Sequence, residues 1–449
     1  MKRDALPQLG PTLSQGAVWL NEAVKADEVS DPFLFGSSIP GRLYLSHAGS
    51  AAVTISLEVD EKGDGRWSKW FEAGLKPNEG KWLSVSAYEW EKKNGEWKRY
   101  LDANGQPVGV GSGWGPSAPP MPWVRLRSSA SLTRATAIFF SGLDRTTARP
   151  GTDAVFTGIG SPTGSGVLPA TVRARGENKG TLHYMPADGS ALYELNADLK
   201  LQRVEDAAGL AYHKANCAIP AGVLTSDAAS IIYTDDSGRR WRLPKGELAF
   251  DKDSAAGPAR VCREVCTERD LFNAGGTFYE LPAENAGGFA KVRPVCTHNR
   301  RIHDYCSWRG LLILTGIEPG APAGEHIIRS DDGKAAVWAG AVDDLWKLPP
   351  PTGTGGAWKD TSVKAGEPSD PCLIWGFARR ELSLSHTNAE PVKFKVELDL
   401  TGDGMWVEWK TIPVAPGEKF SASLPPEVQG RWLRITSNKD VTATAGLIH

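Results

Sequence analysis

Histidine, arginine and tyrosine gather in the middle third of this 449-residue chain, and together they are the side chains that an elimination beside a carboxylate requires. A base must take the proton next to the carboxylate, a cation must neutralise that carboxylate, and an acid must protonate the departing oxygen. An imidazole near its ordinary pKa is mostly neutral at working pH and suits the base. A guanidinium fork grips a carboxylate through two parallel hydrogen bonds, and a phenol can supply the proton. His298 or His213 is the candidate base, Arg269 or Arg309 the carboxylate clamp, and Tyr279 or Tyr305 the acid, with Asn299, Glu268 and Arg293 as further substrate contacts. Hydrolysis would need two carboxyl groups roughly 5 to 9 Å apart, for which Glu268 and Asp304 are the nearest pair.

Each of these residues also has a structural reading. His298 could cap its turn together with Thr297 and Asn299, His303 and Tyr305 could pack between sheets, and Arg269 and Arg309 could tie neighbouring elements through carboxylates. Both readings stand at this level.

Several of the candidates fall in residues 291–316, KVRPVCTHNRRIHDYCSWRGLLILTG. A polar turn around Thr297, His298 and Asn299 leads into a half-apolar segment at 302–308, then through Arg309-Gly310 into Leu311, Leu312, Ile313 and Leu314. The apolar positions repeat at two or run for four, which predicts two short strands joined by an Xaa-Gly turn. On the first of them His303, Tyr305, Ser307 and Arg309 would share one face. Two further segments, Tyr212 to Asn216 and Glu268 to Asp270, would have to be carried to the same place.

The composition points to many short strands. Gly 49, Pro 31 and Trp 17 mean frequent turns between pleated, half-buried surfaces. With 51 basic and 53 acidic residues the net charge is -2, so no field of one sign argues for nucleic acid or for a membrane surface. No apolar run approaches the roughly 18 residues of a spanning helix. Residues 1–16 hold no hydrophobic signal core. The expected compartment is therefore the cytoplasm, or a secreted or periplasmic location if a leader was removed. The oligomeric state is left open.

The six cysteines are spread out and contain no CxxC pair, so they do not form a disulfide framework. Cys262, Cys266, Cys296 and Cys306 lie near His298 and His303 in sequence, but CxxxC followed by CxH is not a standard zinc spacing. Asp60 to Gly65 and Asp399 to Gly404 resemble a calcium loop superficially, yet they lack an acid at the third position and the closing glutamate. No cofactor is expected, structural zinc or calcium being the alternatives weighed.

The two ends of the chain are related. Residues 16–70 align without gaps on 355–409, with 22 identities in 55 positions. Leu43, Leu45 and His47 match Leu382, Leu384 and His386; Val53, Ile55, Leu57 and Val59 match Val392, Phe394, Val396 and Leu398; and both copies continue through Gly-Asp-Gly to a pair of tryptophans. His47 and His386 thus occupy one repeat position, which calls for a structural role. Each copy reads as an antiparallel meander of about four strands. The middle shows similar strand lengths and no Pro or Ser-rich linker. We therefore expect an all-β chain forming one β-propeller over residues 1–449, of about seven four-stranded blades, with related end segments at 16–140 and 355–449. The alternative is two β-sandwich modules, at 20–140 and 360–449, flanking a middle β domain.

Thr234-x-Asp236-x-Gly238-x-x-Trp241 matches the Asp box, the turn between outer strands of sialidase-like propeller blades, and Ser330-Asp331-Asp332-Gly333 followed by Trp338 is a looser copy. On these motifs the chain resembles sialidase-like, carbohydrate-active β-propellers. Through GTFYELP, THNRRIHDYCSWRGLLILTG and the run from VDDLWKL to EPSDP it also resembles a little-characterised bacterial group of propellers. The Arg-Ile-Pro motif of true sialidases is absent before the first blade. Propeller polysaccharide lyases are similar in architecture, and that likeness implies a site built on His, Tyr and Arg. The expected function is cleavage of an acidic, uronate-containing polysaccharide or oligosaccharide by a polysaccharide lyase or glycoside hydrolase. The alternative is a non-catalytic propeller that binds a glycan or a protein.

Overall fold

The computed structural model describes residues 14–35, 41–60, 62–85, 90–93, 96–99, 123–141, 153–164, 166–251, 257–266, 269–348, 350–425 and 427–449. They form a mostly β architecture of several four-stranded sheets, as the composition predicts. The chain divides into two compact units, one of Gly10–Asp144 with Pro425–Gln429, the other of Arg145–Leu424 and Gly430–His449 with the first nine residues.

In the smaller unit the alternating apolar residues of the first copy fill a single interior. One sheet runs in the order Ser14–Val24, Leu132–Ser141, Gly41–Ser46, Gly80–Val85, and the other in the order Phe33–Leu34, Trp123–Ser128, Val53–Asp60, Ser68–Leu75. Leu43 and Leu45 of the first sheet pack in one cluster with Ile55, Leu57, Val124 and Leu126 of the second. Each such side chain, buried in full, contributes about 1.5–3 kcal/mol of transfer free energy.

The second copy repeats this plan within the larger unit. Thr354–Val363, Val441–Ile448, Glu381–His386 and Lys419–Ser423 make one sheet, and Cys372–Leu373, Trp432–Ser437, Val392–Asp399 and Trp406–Val414 belong to the other. The meander expected in each copy is corrected here. Gly41–Ser46 and Val53–Asp60 follow one another in sequence yet lie in different sheets, and so do Glu381–His386 and Val392–Asp399. A period of two reveals which face of a strand is buried. It does not reveal which strand pairs beside it. The hairpin through Gly63-Asp64-Gly65 is the part of the meander that stands, since Val53–Asp60 does pair with Ser68–Leu75.

The middle keeps the consecutive pattern. Ala170–Arg175, Thr181–Pro186, Leu192–Leu195 and Leu201–Val204 form one meander. Leu224–Ser226, Ile231–Thr234 and Arg240–Leu243 form the next, whose last strand joins Cys372–Leu373 of the second copy in parallel. Cys262–Cys266, Arg269–Ala274, Thr277–Leu281 and Arg293–Thr297 make the third. The fourth runs in the order Tyr305–Trp308, Leu311–Leu314, Ala336–Gly340, Ile327–Arg329. The Xaa-Gly turn of residues 291–316 is present: Arg309 (φ 51°) and Gly310 (φ 80°) link Trp308 to Leu311, the pair of left-handed residues that a two-residue hairpin turn requires.

Candidate functional site

Between the third and fourth middle sheets the chain passes through an irregular link, residues 298–304, and this link forms one side of a pocket of about 210 Å³. Arg300, Arg301, Ile302 and His303 face the hairpin turn Asn273 to Gly276 of the third sheet, and Gly222, Leu224, Phe250 and Pro258 complete the wall. The second and third middle sheets and the link to the fourth thus contribute to one opening. The link is held by its backbone: the N–H groups of His298 and Asn299 both donate to Gly276 O, at 2.8 and 3.0 Å, and Arg301 N–H donates to Gly160 O at 2.8 Å. Asn299 adopts φ 47° to make this turn. Gly276, at φ 84°, has no room for a Cβ, which would lie 2.5 Å from Phe250 and 2.6 Å from Asn299 Oδ1.

The cations here are positioned by carbonyls. Arg301 donates through Nη2 to Ala249 O at 2.8 Å and lies 5.1 Å from the centre of the Phe250 ring. His303 is 6% exposed, and burial holds its imidazole below the ordinary value, so it is neutral at neutral pH.

The candidate acid and base residues are placed elsewhere. His298 is buried against Phe278, ring centres 4.6 Å apart. Its Nδ1 accepts the Arg300 N–H at 2.9 Å, which leaves Nε2–H to donate to Asn273 Oδ1 at 3.1 Å. Burial pushes its pKa down to about 3. Both nitrogens are therefore spent on the turn, and no lone pair is left to receive a substrate proton.

His213 sits on the α-helix Ala207–Asn216 rather than on a strand, bonded through Nε2 to Thr171 Oγ1 at 2.9 Å. It is 1% exposed, and burial pushes it down to about 4. The sequence signal for that helix was present, an Asp206 cap that accepts Gly209 N–H at 2.8 Å ahead of an alanine-rich run.

Tyr279 and Tyr305 are fully buried, and burial raises both phenols far above their ordinary range. Tyr305 reaches Leu271 O at 2.5 Å in the apolar core. Arg293 pairs with its cross-strand neighbour Glu280, Nε to Oε2 at 2.7 Å. Arg309 lies in the exposed hairpin turn, 5.8 Å from the Trp308 ring. Arg269 is described through its backbone, in Arg269–Ala274, and Glu268 lies outside the described residues. Of the expected set, His298, Asn299, His213, Tyr279, Tyr305, Arg293 and Arg309 are all outside the lining; His298 lies behind it, bonded to the lining residues Asn273 and Arg300.

Asp304, the second carboxylate of the hydrolytic pairing, is fully buried and already satisfied. Its Oδ1 meets Arg260 Nε at 2.9 Å and accepts Tyr305 N–H at 2.8 Å, while Oδ2 accepts Val172 N–H at 3.0 Å. Arg263 lies 3.5 Å away and donates to Val172 O and Tyr305 O. This cluster joins the first, third and fourth middle sheets, and sequence reasoning missed both arginines. Among the described residues no group of three or more His, Cys, Asp or Glu side chains converges as metal ligands. The Asp60 and Asp399 carboxylates accept backbone N–H groups of their own turns, Gly63 and Gly65 in one and Gly402 and Gly404 in the other. In the hairpin expected to carry an Asp box it is Asp235, not Asp236, that accepts the Arg239 N–H and Trp241 Nε1–H, both at 2.9 Å.

No family model matches the chain, and no curated protein matches it. It has distant likenesses among solved structures. The PBSX exported protein XepA is 7% identical, over 98% of this chain and 85% of that one, with a TM-score of 0.17. An exo-β-1,3-galactanase from Phanerochaete chrysosporium with galactose is 9% identical, over 66% and 99%, at 0.20. A glycoside hydrolase is 13% identical, over 62% and 83%, at 0.14. Likeness at this level leaves both architecture and chemistry to be argued from the chain's own residues.

Proposed function

We propose that the middle of the chain is a carbohydrate-binding module, its four sheets serving as propeller-like blades around the pocket, and that the ligand is a terminal acidic sugar. The observation that supports this is the link 300–303, which sets Arg300, Arg301 and a neutral His303 on a pocket otherwise walled by glycine, proline and aliphatic carbon together with Phe250 and Asn273. Guanidinium groups suit a uronate carboxylate, a neutral imidazole suits a hydroxyl, and the apolar wall suits the carbon face of a sugar ring. The volume of about 210 Å³ falls below the roughly 300–1,000 Å³ of sites for drug-sized ligands, so one sugar unit is favoured over a long segment. Binding is favoured over turnover because His298 has both nitrogens committed and Tyr279 and Tyr305 are buried away from the pocket lining. His303 beside two arginines keeps a second reading in view, the uronate lyase in which that imidazole is the base.

Calorimetric titration with glucuronate and galacturonate oligosaccharides tests both. Wild-type protein is expected to bind a uronate-ended oligosaccharide and not its neutral counterpart, and Arg301→Gln to weaken binding about tenfold, close to 1.4 kcal/mol. Absence of heat with every acidic sugar refutes the binding reading. A growing ultraviolet absorbance of unsaturated uronate, abolished by His303→Gln, would replace it with the lyase.

A further inference from the structure

The two copies of the end repeat carry the same sheet edge, and in the described structure one of them is covered while the other is open. In the second copy Cys372–Leu373 pairs with Trp432–Ser437 in the register Leu373 opposite Trp432. In the first copy Phe33–Leu34 pairs with Trp123–Ser128 in the same register, Leu34 opposite Trp123. Both edges are preceded by Ser-Asp-Pro. Ser30 and Ser369 hold them alike, accepting the N–H of Leu126 at 3.0 Å and of Ile435 at 3.1 Å.

The second-copy edge shows what fits it. Arg240–Leu243 lies alongside in parallel, Arg242 N–H donating to Pro371 O at 2.8 Å. Arg242 Nε meets Asp370 Oδ2 at 3.0 Å and Arg240 Nη2 meets the same oxygen at 3.4 Å. The Trp241 ring centre lies 4.5 Å from that of Trp432. With that strand in place Leu373 and Trp432 are 0% exposed, Trp432 also packing near Phe289 and donating to Ala290 O. At the first-copy edge Leu34 is 62% exposed and Trp123 37% exposed, with Asp31 open beside them. The chain has kept Asp, Pro, Leu and Trp at both edges. An open sheet edge bearing large apolar side chains is a template for strand addition.

We propose that the edge formed by Asp31, Leu34 and Trp123 is a docking surface for another protein, which adds a parallel strand of alternating basic and aromatic residues. The occupant is read from Arg240-Trp241-Arg242: a cation on each side of an aromatic ring, the cations directed to Asp31 and the ring to Trp123. A second copy of this chain is a poor occupant. Its own Arg240–Leu243 is engaged within its larger unit, and a second first-copy edge does not offer Asp31 the Arg-Trp-Arg strand that the matching Asp370 receives.

The test is fluorescence anisotropy of a fluorescein-labelled peptide with the sequence of residues 238–244, GRRWRLP, titrated with the full chain. Saturable binding is expected, at least about tenfold tighter than for a scrambled peptide of the same composition. Leu34→Arg and Asp31→Asn are each expected to weaken it by about tenfold or more, with an unchanged Tm because both side chains are exposed. No saturation up to about 1 mM, or equal binding by Leu34→Arg and wild type, overturns the proposal. A wild-type dimer in sedimentation that Leu34→Arg converts to monomer overturns it too, in favour of self-association.

Discussion

The end modules and the middle handle polar residues in opposite ways. Several of the buried polar contacts that one end makes, the other repeats. His47 Nε2 meets Lys76 O at 2.9 Å, and His386 Nε2 meets Val414 O at 3.0 Å. Arg125 binds Glu58 at 2.6 Å and lies 4.3 Å over Trp67; Arg434 binds Glu397 at 2.9 Å and lies 4.3 Å over Trp406. Asn21 and Asp360, at matching positions, both take a left-handed backbone, φ 59° and 49°. In the middle the Asp304 cluster and the link 298–304 each occur once. A polar residue that recurs with the same partner belongs to the framework of the sandwich. One that occurs once and is still buried must be explained by what it joins or what it faces.

The Asp304 cluster is where that contrast is sharpest, and it should give the largest effect. Replacing Arg260 by Ala leaves Asp304, at 0% exposure, without its 2.9 Å partner. Breaking a buried pair from one side typically costs about 3–5 kcal/mol. The repeated Glu58–Arg125 pair is more open, its side chains 13% and 21% exposed, and Arg125→Ala is expected to cost about 1 kcal/mol. Urea unfolding of the two variants measures both. Equal costs would break the comparison.

Much of this fold was legible in the sequence, and particular residues show why the rest was not. The gapless repeat placed His47 with His386 and Asp60 with Asp399. The two aspartates accept from matching residues because equal local sequence makes equal turns, whereas the histidines' carbonyl partners, Lys76 and Val414, sit one repeat position apart. Arg309-Gly310 was readable as a hairpin for the same local reason. Strand neighbours across a sandwich are long-range facts. Gly41–Ser46 pairs with Leu132–Ser141, and no local pattern announces a partner ninety residues away. In the candidate site, the polar turn at His298 was visible but its role was not. Whether an imidazole is a base or a turn brace depends on Asn273, on Arg300 N–H and on burial, and a residue list carries none of these. Arg260 and Arg263 were missed because an arginine just before or at the start of a strand looks solvated until Asp304, from the link ahead of the next sheet, reaches it.

The pH dependence of stability is a second way to sharpen the contrast. His298 is depressed to about 3 in the folded chain by burial, against roughly 6.5 when unfolded. Above 6.5 neither state binds the proton and the buried imidazole contributes in full. As pH falls from 6.5 towards 3 the unfolded state takes up a proton that the folded state refuses, so stability is lost by up to about 1.4 kcal/mol per pH unit. His213, depressed to about 4, acts in the same sense over a narrower window. His298→Gln is expected to be less stable at pH 7 but to lose stability between pH 6 and 4 by about one proton less than wild type. An unchanged slope would mean that His298 is protonated while folded, and the brace described above would be wrong.

The smallest effect concerns the repeat itself. In both copies the histidine is a bridge: Nδ1 accepts an N–H two residues on, Gly49 in one and Asn388 in the other, each at 3.1 Å. Nε2–H then donates to the carbonyl named above. Removing either side chain strands one backbone carbonyl and one N–H at a site 4% or 8% exposed, and such losses typically cost about 1–3 kcal/mol where water cannot substitute. Because water can reach a turn, the lower end applies, about 1 kcal/mol for His47→Ala and for His386→Ala alike. Amide exchange in Gly41–Ser46 and Glu381–His386 reads each copy separately. Equal loss of protection is what a shared framework demands. A loss at one copy alone would mean that the matching hydrogen bonds do different work in the two modules, and the rule that recurrence marks framework would not hold for this chain.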